Sequence, residues 1–142
     1  MNRARDWLAQ ARLNLRHANH SRDAGDHAWA CFAAHQAAEA ALKALHLARG
    51  QVAWGHSIRL LLDALPDDVK PDDAFIERVA VLDRLYIPTR SPDAHPAGPA
   101  GQHYTAKDAE EAIRLASEVV DYCASQGLED RPPTATWTCS SS

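Results

Sequence analysis

The residues of this chain best suited to chemistry lie in a proline-rich segment spanning residues 88 to 104. Arg90 and His95 are separated there by four residues. A guanidinium group can hold a phosphate through paired hydrogen bonds, and an imidazole can remove a proton from a hydroxyl group. Alternatively, Arg90 forms a salt bridge with Asp83 or Asp93 and His95 is a surface histidine without a chemical role.

Two tyrosines extend this candidate site. Tyr86 precedes Arg90 by four residues, and Tyr104 stands at the far end of the proline-rich segment. An aromatic ring can stack on a nucleobase while a neighbouring arginine binds the phosphate. Tyr86, Arg90 and Tyr104 are therefore the predicted nucleotide-binding residues.

Histidine pairs elsewhere are possible metal ligands. His17 and His20 are three residues apart, and His35 and Glu39 are four apart, which suits ligation from one helix face. Neither pair has a third ligand at the spacing of a metal site, so we predict no metal and no cofactor. The three cysteines lack CxxC spacing, which favours free thiols in a reducing compartment.

The elements that must position these residues are helices. Apolar residues recur at helical spacing, glycine and proline interrupt the pattern at intervals, and Pro88 is expected to end the fourth helix. This pattern predicts five helices, at about 2–22, 27–49, 56–65, 72–86 and 105–125. We predict an all-α fold, an antiparallel up-down four-helix bundle with an additional short helix. The bundle would occupy residues 1–126, followed by a disordered tail over 127–142.

Length and charge limit the possible functions. A chain of 142 residues is the usual size of one domain. The net charge of −4 gives no global basic surface, so contact with nucleic acid requires a local patch. No apolar run approaches the roughly 18 residues of a membrane span, and no signal-peptide core is visible. A cytoplasmic protein that does not contact membranes is the expectation.

Three segments of the chain resemble the HEPN domain family. CFAAHQAAEAALKAL at 31–45 is similar to its second-helix signature, an aromatic followed by Gln-Ala-x-Glu and Leu-Lys-Ala-Leu. GHSIRLL at 55–61 resembles its third helix, and LDRLYIPTRSPDA at 82–94 resembles the end of its fourth helix in small free-standing members. The likeness covers roughly residues 4 to 125, with the three segments in the family's order.

The resemblance implies a helical bundle that dimerises through its longer helices and is associated with nucleotide binding or RNA cleavage. Many members are encoded beside a minimal nucleotidyltransferase, often as toxin–antitoxin pairs. In the ribonuclease branch, an Arg-x4-His motif cleaves RNA without metal, and the same motif of a dimer partner completes the site. Here Arg90 and His95 match that motif, whereas Ser91 replaces the polar residue that usually follows the arginine.

Three hypotheses follow. The first is a homodimer that binds a nucleotide or RNA phosphate near Arg90 and acts with a nucleotidyltransferase partner in a toxin–antitoxin-like module. The second is a metal-independent endoribonuclease with Arg90 and His95 as catalytic residues. The third is a structural adaptor whose alanine-rich helices pair with another helical protein.

Overall fold

The computed structural model describes residues 3–90 and 104–128, and within these ranges the secondary structure is helical, without strands. His95 and nearly all of the predicted tail lie outside the described residues. The described ranges contain six α-helices, and after the last of them the chain turns over Ala124–Leu128, where Gln126 and Gly127 depart from helical backbone geometry. The six helices are α1 (Ala4–Asp23), α2 (His27–Ala48), α3 (Ile58–Asp63), α4 (Asp73–Val79), α5 (Val81–Arg90) and α6 (Ala106–Cys123). None of the helices in this part of the chain is long and apolar enough to cross a membrane.

Helix α2 forms the centre of the bundle, and α1, α5 and α6 all pack against it. It can be surrounded in this way because most of its side chains are small. Its completely buried residues include Ala34, Ala37, Ala38, Ala41 and Ala44. Small side chains allow neighbouring backbones to approach closely. The alanine-rich face of α2 is therefore covered by other helices of the same chain. An adaptor would have to bind its partner protein through a different surface.

Side-chain contacts establish the relative direction of α4 and α6. Arg78 of α4 bonds Glu118 of α6, while Phe75, one turn earlier, stacks on Tyr122, one turn later. Helices α4 and α6 therefore run antiparallel. The predicted all-α up-down bundle is confirmed, with α4 and α5 together forming one of its four long segments and α3 the additional short helix.

The predicted fourth helix was wrong in two respects. It is divided into α4 and α5, which meet at Ala80, and α5 continues through Pro88 to Arg90 instead of ending at Tyr86. A proline within a helix removes the hydrogen bond from its own nitrogen, here the bond to the carbonyl of Arg84, and its ring crowds that carbonyl. The helix persists for two further residues, so Arg90 is its last residue and does not lie in a loop.

Local sequence signals located the start of α6 correctly. The Thr105 side chain accepts a hydrogen bond from the Asp108 amide, and the Asp108 carboxylate accepts one from the Thr105 amide. This capping box satisfies amides that have no partner within the helix. It fixes the start of α6, directly after Tyr104.

Candidate functional site

The predicted nucleotide-binding residues lie toward one end of the bundle. Helix α4 and its continuation α5 run antiparallel to α6, so the last residue of α5, Arg90, and the residue preceding Thr105 at the start of α6, Tyr104, approach the same end. Tyr86 lies one helical turn before Arg90. The fold therefore places the backbones of Tyr86, Arg90 and Tyr104 toward the same end of the bundle, while His95 is outside the described residues.

Tyr104 packs near the first half of α2. Burial of its ring raises the pKa of the phenol to about 12, and the nearby Cys31 and Asp108 contribute to this increase. The phenol is therefore neutral at physiological pH and keeps its hydrogen. A half-buried, neutral tyrosine can offer a ring face or a hydroxyl donor to a ligand at this end of the bundle.

A second group of polar side chains lies between α2, α3 and α5, and sequence reasoning did not predict it as a site. We call it the polar cluster; it comprises His35, Glu39, Lys43, His56 and Asp83. One side of the cluster is centred on the carboxylate of Glu39, and the other side is centred on the carboxylate of Asp83. A signal for the α2 part exists in the sequence, because His35, Glu39 and Lys43 recur every four residues in a mostly apolar helix and so share one face.

Glu39 organises one side of the polar cluster. Its Oε2 lies 2.8 Å from Nζ of Lys43, and both of its carboxylate oxygens lie 3.1 Å from Nδ1 of His56. The Glu39 side chain is only 8% exposed, whereas that of His56 is 64% exposed. Glu39 is therefore buried, although a glutamate and a lysine four residues apart also suit an exposed pair on a helix surface.

Asp83 organises the other side. Its carboxylate accepts hydrogen bonds from the amides of Ile58 (2.7 Å) and Arg59 (3.1 Å) and from the hydroxyl of Ser57 (3.0 Å), at the N-terminus of α3. Its fourth partner is Nε2 of His35, at 3.1 Å. Burial raises the pKa of Asp83, but these hydrogen bonds stabilise the charged form and hold the pKa below its ordinary value.

These contacts give Asp83 a structural role. A carboxylate at the first turn of a helix satisfies amides that lack intrahelical partners and interacts favourably with the helix dipole. Asp83 is one of the two acids considered above as salt-bridge partners of Arg90. Both of its carboxylate oxygens are already hydrogen-bonded to α3 and His35. In the described parts of the chain, no group of three or more metal-ligating side chains is arranged to hold a metal ion.

Several tryptophans lie on the surface of the chain. Trp7, Trp29 and Trp54 are 37%, 60% and 85% exposed, so they do not belong to the buried core. Trp29 contacts Phe32 edge to face, with ring centroids 5.3 Å apart. This aromatic pair lines an open groove of about 520 Å³ between α1 and α2, together with polar residues such as His17.

Comparison with known families identifies this arrangement of helices. The HEPN domain model matches residues 4–126. The chain belongs to the HEPN domain family. The matched range includes both sides of the polar cluster as well as Arg90 and Tyr104. No curated protein matches the chain.

Solved HEPN-like structures share the fold over nearly their whole length. The chain is 65% identical to TT1696 from Thermus thermophilus, with a TM-score of 0.85, covering 88% of this chain and 98% of that one. It is 33% identical to ST0689, an archaeal HEPN homologue, with a TM-score of 0.74. That match covers 89% of this chain and 98% of ST0689. A HEPN domain protein from Thermotoga maritima, tm0613, is 27% identical, with a TM-score of 0.66 and coverage of 88% and 99%.

Proposed function

We propose that this HEPN protein is a homodimer that binds a nucleotide or RNA phosphate at Arg90 and acts with a nucleotidyltransferase partner. The observation that carries the proposal is the position of Arg90, the last residue of α5, toward the end of the bundle where α6 begins. The N-terminus of a helix carries partial positive charge that favours a phosphate. Arg90 would add a full charge and a paired hydrogen-bonding geometry.

The neighbouring aromatic residues support a nucleotide rather than a bare phosphate. Tyr104 lies just before α6 and Tyr86 lies one turn before Arg90, so both belong to the same region. A nucleobase can stack on either ring while its phosphate is held by the arginine. The proposed partner rests on the family resemblance, since many HEPN proteins are encoded beside a minimal nucleotidyltransferase.

The proposal is tested by measuring binding of a fluorescently labelled single-stranded RNA and of ATP to the full-length protein, by fluorescence polarisation and calorimetry respectively. Loss of a charge-assisted hydrogen bond costs about 1.5–3 kcal/mol, so Arg90→Ala should weaken binding roughly 10- to 100-fold. Arg84→Ala is the matched control, because it removes the same charge from an exposed position of the same helix. Equal losses in both variants, or no binding by the wild type, would contradict the proposal.

The partnership requires a separate measurement. A nucleotidyltransferase encoded beside this gene should co-purify with the tagged chain after co-expression, and sedimentation should give the mass of the complex. Failure of the two proteins to associate would remove the partner from the proposal and leave the binding function intact.

A second candidate function is a metal-independent endoribonuclease, which the Arg-x4-His spacing of Arg90 and His95 favours. It predicts cleavage of RNA in EDTA by the wild type and loss of cleavage in His95→Ala, with folding and dimerisation unchanged. Cleavage that survives His95→Ala would exclude this assignment of the histidine. No observation favours the adaptor hypothesis, because the alanine-rich face of α2 is buried within the chain.

A further inference from the structure

Three arginines on the outer surface of α1 are exposed and unpaired. Within the part of the chain that the structure describes, the side chains of Arg5, Arg12 and Arg16 take part in no ion pair or hydrogen bond. Other exposed arginines, such as Arg49 and Arg78, each lie against a carboxylate. The positive charges of the three α1 residues therefore remain available to a ligand.

These three arginines share one face of α1, and we call them the arginine stripe. At 3.6 residues per turn they fall within about 40° of one another around the helix axis, and they span about 16 Å along it. No acidic residue occurs from position 7 to position 22 of the sequence. The stripe is therefore a local concentration of positive charge on a chain whose net charge is −4.

The stripe does not serve the stability of α1. Arg12 and Arg16 are like charges four residues apart on a helix, and such pairs repel each other. Arg5 is the second residue of α1, where the positive end of the helix dipole disfavours a cation. The helix is held in the bundle by its other face, whose buried residues include Leu8 and Ala11. A polyanion bound to the stripe would relieve this unfavourable arrangement of charges.

The position of the stripe on α1 keeps it away from the groove between α1 and α2. Asn14 and Ser21, which line that groove together with Trp29, lie about 160–180° from the stripe around the α1 axis. A homodimer formed through the groove would therefore leave the stripe uncovered.

The stripe leads toward the end of the bundle that Arg90 approaches. Only residues 24–26 separate α1 from α2, so the last turn of α1 and the first turns of α2 lie at the same end. Tyr104 lies near Cys31, in the second turn of α2. The end shared by Tyr104 and Arg90 is therefore the end at which α1 finishes, about 10 Å beyond Arg16.

A row of phosphates suits the stripe better than a membrane or a protein surface does. Arg12 and Arg16 are about 6 Å apart along the helix axis, a spacing compatible with successive phosphates of an extended strand. Each guanidinium group can hold a phosphate through paired hydrogen bonds. A membrane-binding helix needs an exposed apolar face, and that of α1 is buried. Protein interfaces are centred on apolar residues, whereas the stripe consists of arginines.

We propose that the arginine stripe binds the phosphate backbone of a single-stranded RNA that also contacts Arg90; this rests on the RNA binding proposed above. The stripe would contact phosphates and no base edges, so it adds affinity without sequence preference. It provides the local basic patch that an acidic chain needs in order to bind a nucleic acid. ATP at Arg90 would not reach it, because α1 and α5, as far as the structure describes them, do not contact each other.

The test compares the wild type with the variant Arg5→Gln/Arg12→Gln/Arg16→Gln, by fluorescence polarisation of a labelled single-stranded RNA at several salt concentrations. Each phosphate contact on a single strand contributes about 0.7 to the slope of log K against log salt, so the slope should fall by about 2. The affinity for RNA should be lower by roughly 100-fold at 0.1 M salt, and the difference should shrink toward 1 M. DNA of the same sequence should lose as much, since the stripe reads no 2′-hydroxyl. The Kd for ATP, measured by calorimetry, should not change.

A second triple variant, Arg49→Gln/Arg59→Gln/Arg114→Gln, is the matched control. It removes the same charge from exposed arginines that are paired with carboxylates of the chain, and it should keep the salt dependence of the wild type. Urea denaturation should show the stripe variant to be at least as stable as the wild type, because repulsion within α1 is removed. Equal losses of RNA affinity in the two triple variants would assign the effect to net charge and overturn the role of the stripe.

A competitor distinguishes phosphates from carboxylates. Unlabelled RNA should displace the labelled strand from the wild type at a much lower charge concentration than polyglutamate does. Equal competition by polyglutamate would overturn the assignment of the stripe to a phosphate backbone and favour an acidic protein.

The outcomes separate this inference from the proposed function. An unchanged salt slope in the stripe variant, together with weaker binding by Arg90→Ala, would overturn the role of the stripe and leave the proposed function standing. A wild type that binds ATP but not RNA would also overturn it, and would restrict the proposed function to a nucleotide. A wild type that binds neither would defeat both.

Discussion

Nε2 of His35 lies 3.1 Å from Oδ1 of Asp83, which joins the middle of α2 to the first turn of α5. His35 is completely buried, so this contact is made inside the bundle. The same carboxylate oxygen also accepts a hydrogen bond from the Ile58 amide at 2.7 Å. One side chain therefore links three helices, and it positions α5, which leads to Arg90.

The first prediction concerns the pH dependence of this link. The pKa of Asp83 is held below its ordinary value of 3.8, so its carboxylate stabilises the fold fully above about pH 5. That contribution is lost as the pH falls through the lowered pKa. Asp83→Asn should reduce the free energy of unfolding at pH 7 by about 1–3 kcal/mol, measured by urea denaturation. At pH 3 the difference from the wild type should be smaller.

The exposed Asp121 supplies the control for this experiment. Asp121→Asn removes a carboxylate from the surface of α6 and should change stability little at either pH. A difference between Asp83→Asn and the wild type that stayed constant from pH 7 to pH 3 would contradict the role assigned to the ionised carboxylate.

The second prediction concerns the Glu39–Lys43 pair. Lys43→Met removes the ammonium partner of the buried Glu39 carboxylate, and breaking a buried pair typically costs about 3–5 kcal/mol. We expect the lower end of that range, because His56 still contacts Glu39. The double variant Glu39→Leu/Lys43→Met should recover most of the loss, since no unpaired charge remains. Thermal and urea unfolding would measure both effects.

Lys107→Met, at an exposed position in the first turn of α6, is the matched control for loss of a lysine charge. It should leave the free energy of unfolding nearly unchanged. If the double variant were as unstable as Lys43→Met, the cost would arise from lost packing of the lysine stem and not from the stranded carboxylate.

The third prediction concerns the alanine-rich face of α2. Ala37 is completely buried inside the chain, so Ala37→Leu inserts a larger side chain where neighbouring helices are in contact. Overpacking of this kind costs about 1–3 kcal/mol. Urea denaturation should detect the loss, and Ala9→Leu on the exposed face of α1 should not show it. Unchanged stability with loss of self-association would instead assign Ala37 to an interface between chains.

The fourth prediction concerns the homodimer. The resemblance implies dimerisation through the longer helices, and Trp29 is 60% exposed in the groove between α1 and α2. Buried aromatic residues dominate the energetics of many interfaces. Trp29→Ser should therefore weaken the dimer by at least about 2 kcal/mol, or roughly 30-fold in Kd by analytical ultracentrifugation. Trp54→Ser, at an 85% exposed position beyond α2, is the comparison and should dimerise like the wild type.

The sequence by itself determined where most of the helices lie, because the signals for them are local. The apolar periodicity of α2 and the capping residues Thr105 and Asp108 depend only on neighbours a few positions away. Pro88 was misleading for a related reason. Its local preference is to end a helix, whereas α5 continues past it to Arg90.

Only the tertiary structure decided which polar residues meet. Glu39 and His56 are 17 residues apart, and His35 and Asp83 are 48 apart. No periodicity links such positions, because their contacts depend on how α2, α3 and α5 pack. Glu39 looks like half of an exposed ion pair in the sequence, and burial against its neighbours turns it into the carboxylate that holds His56.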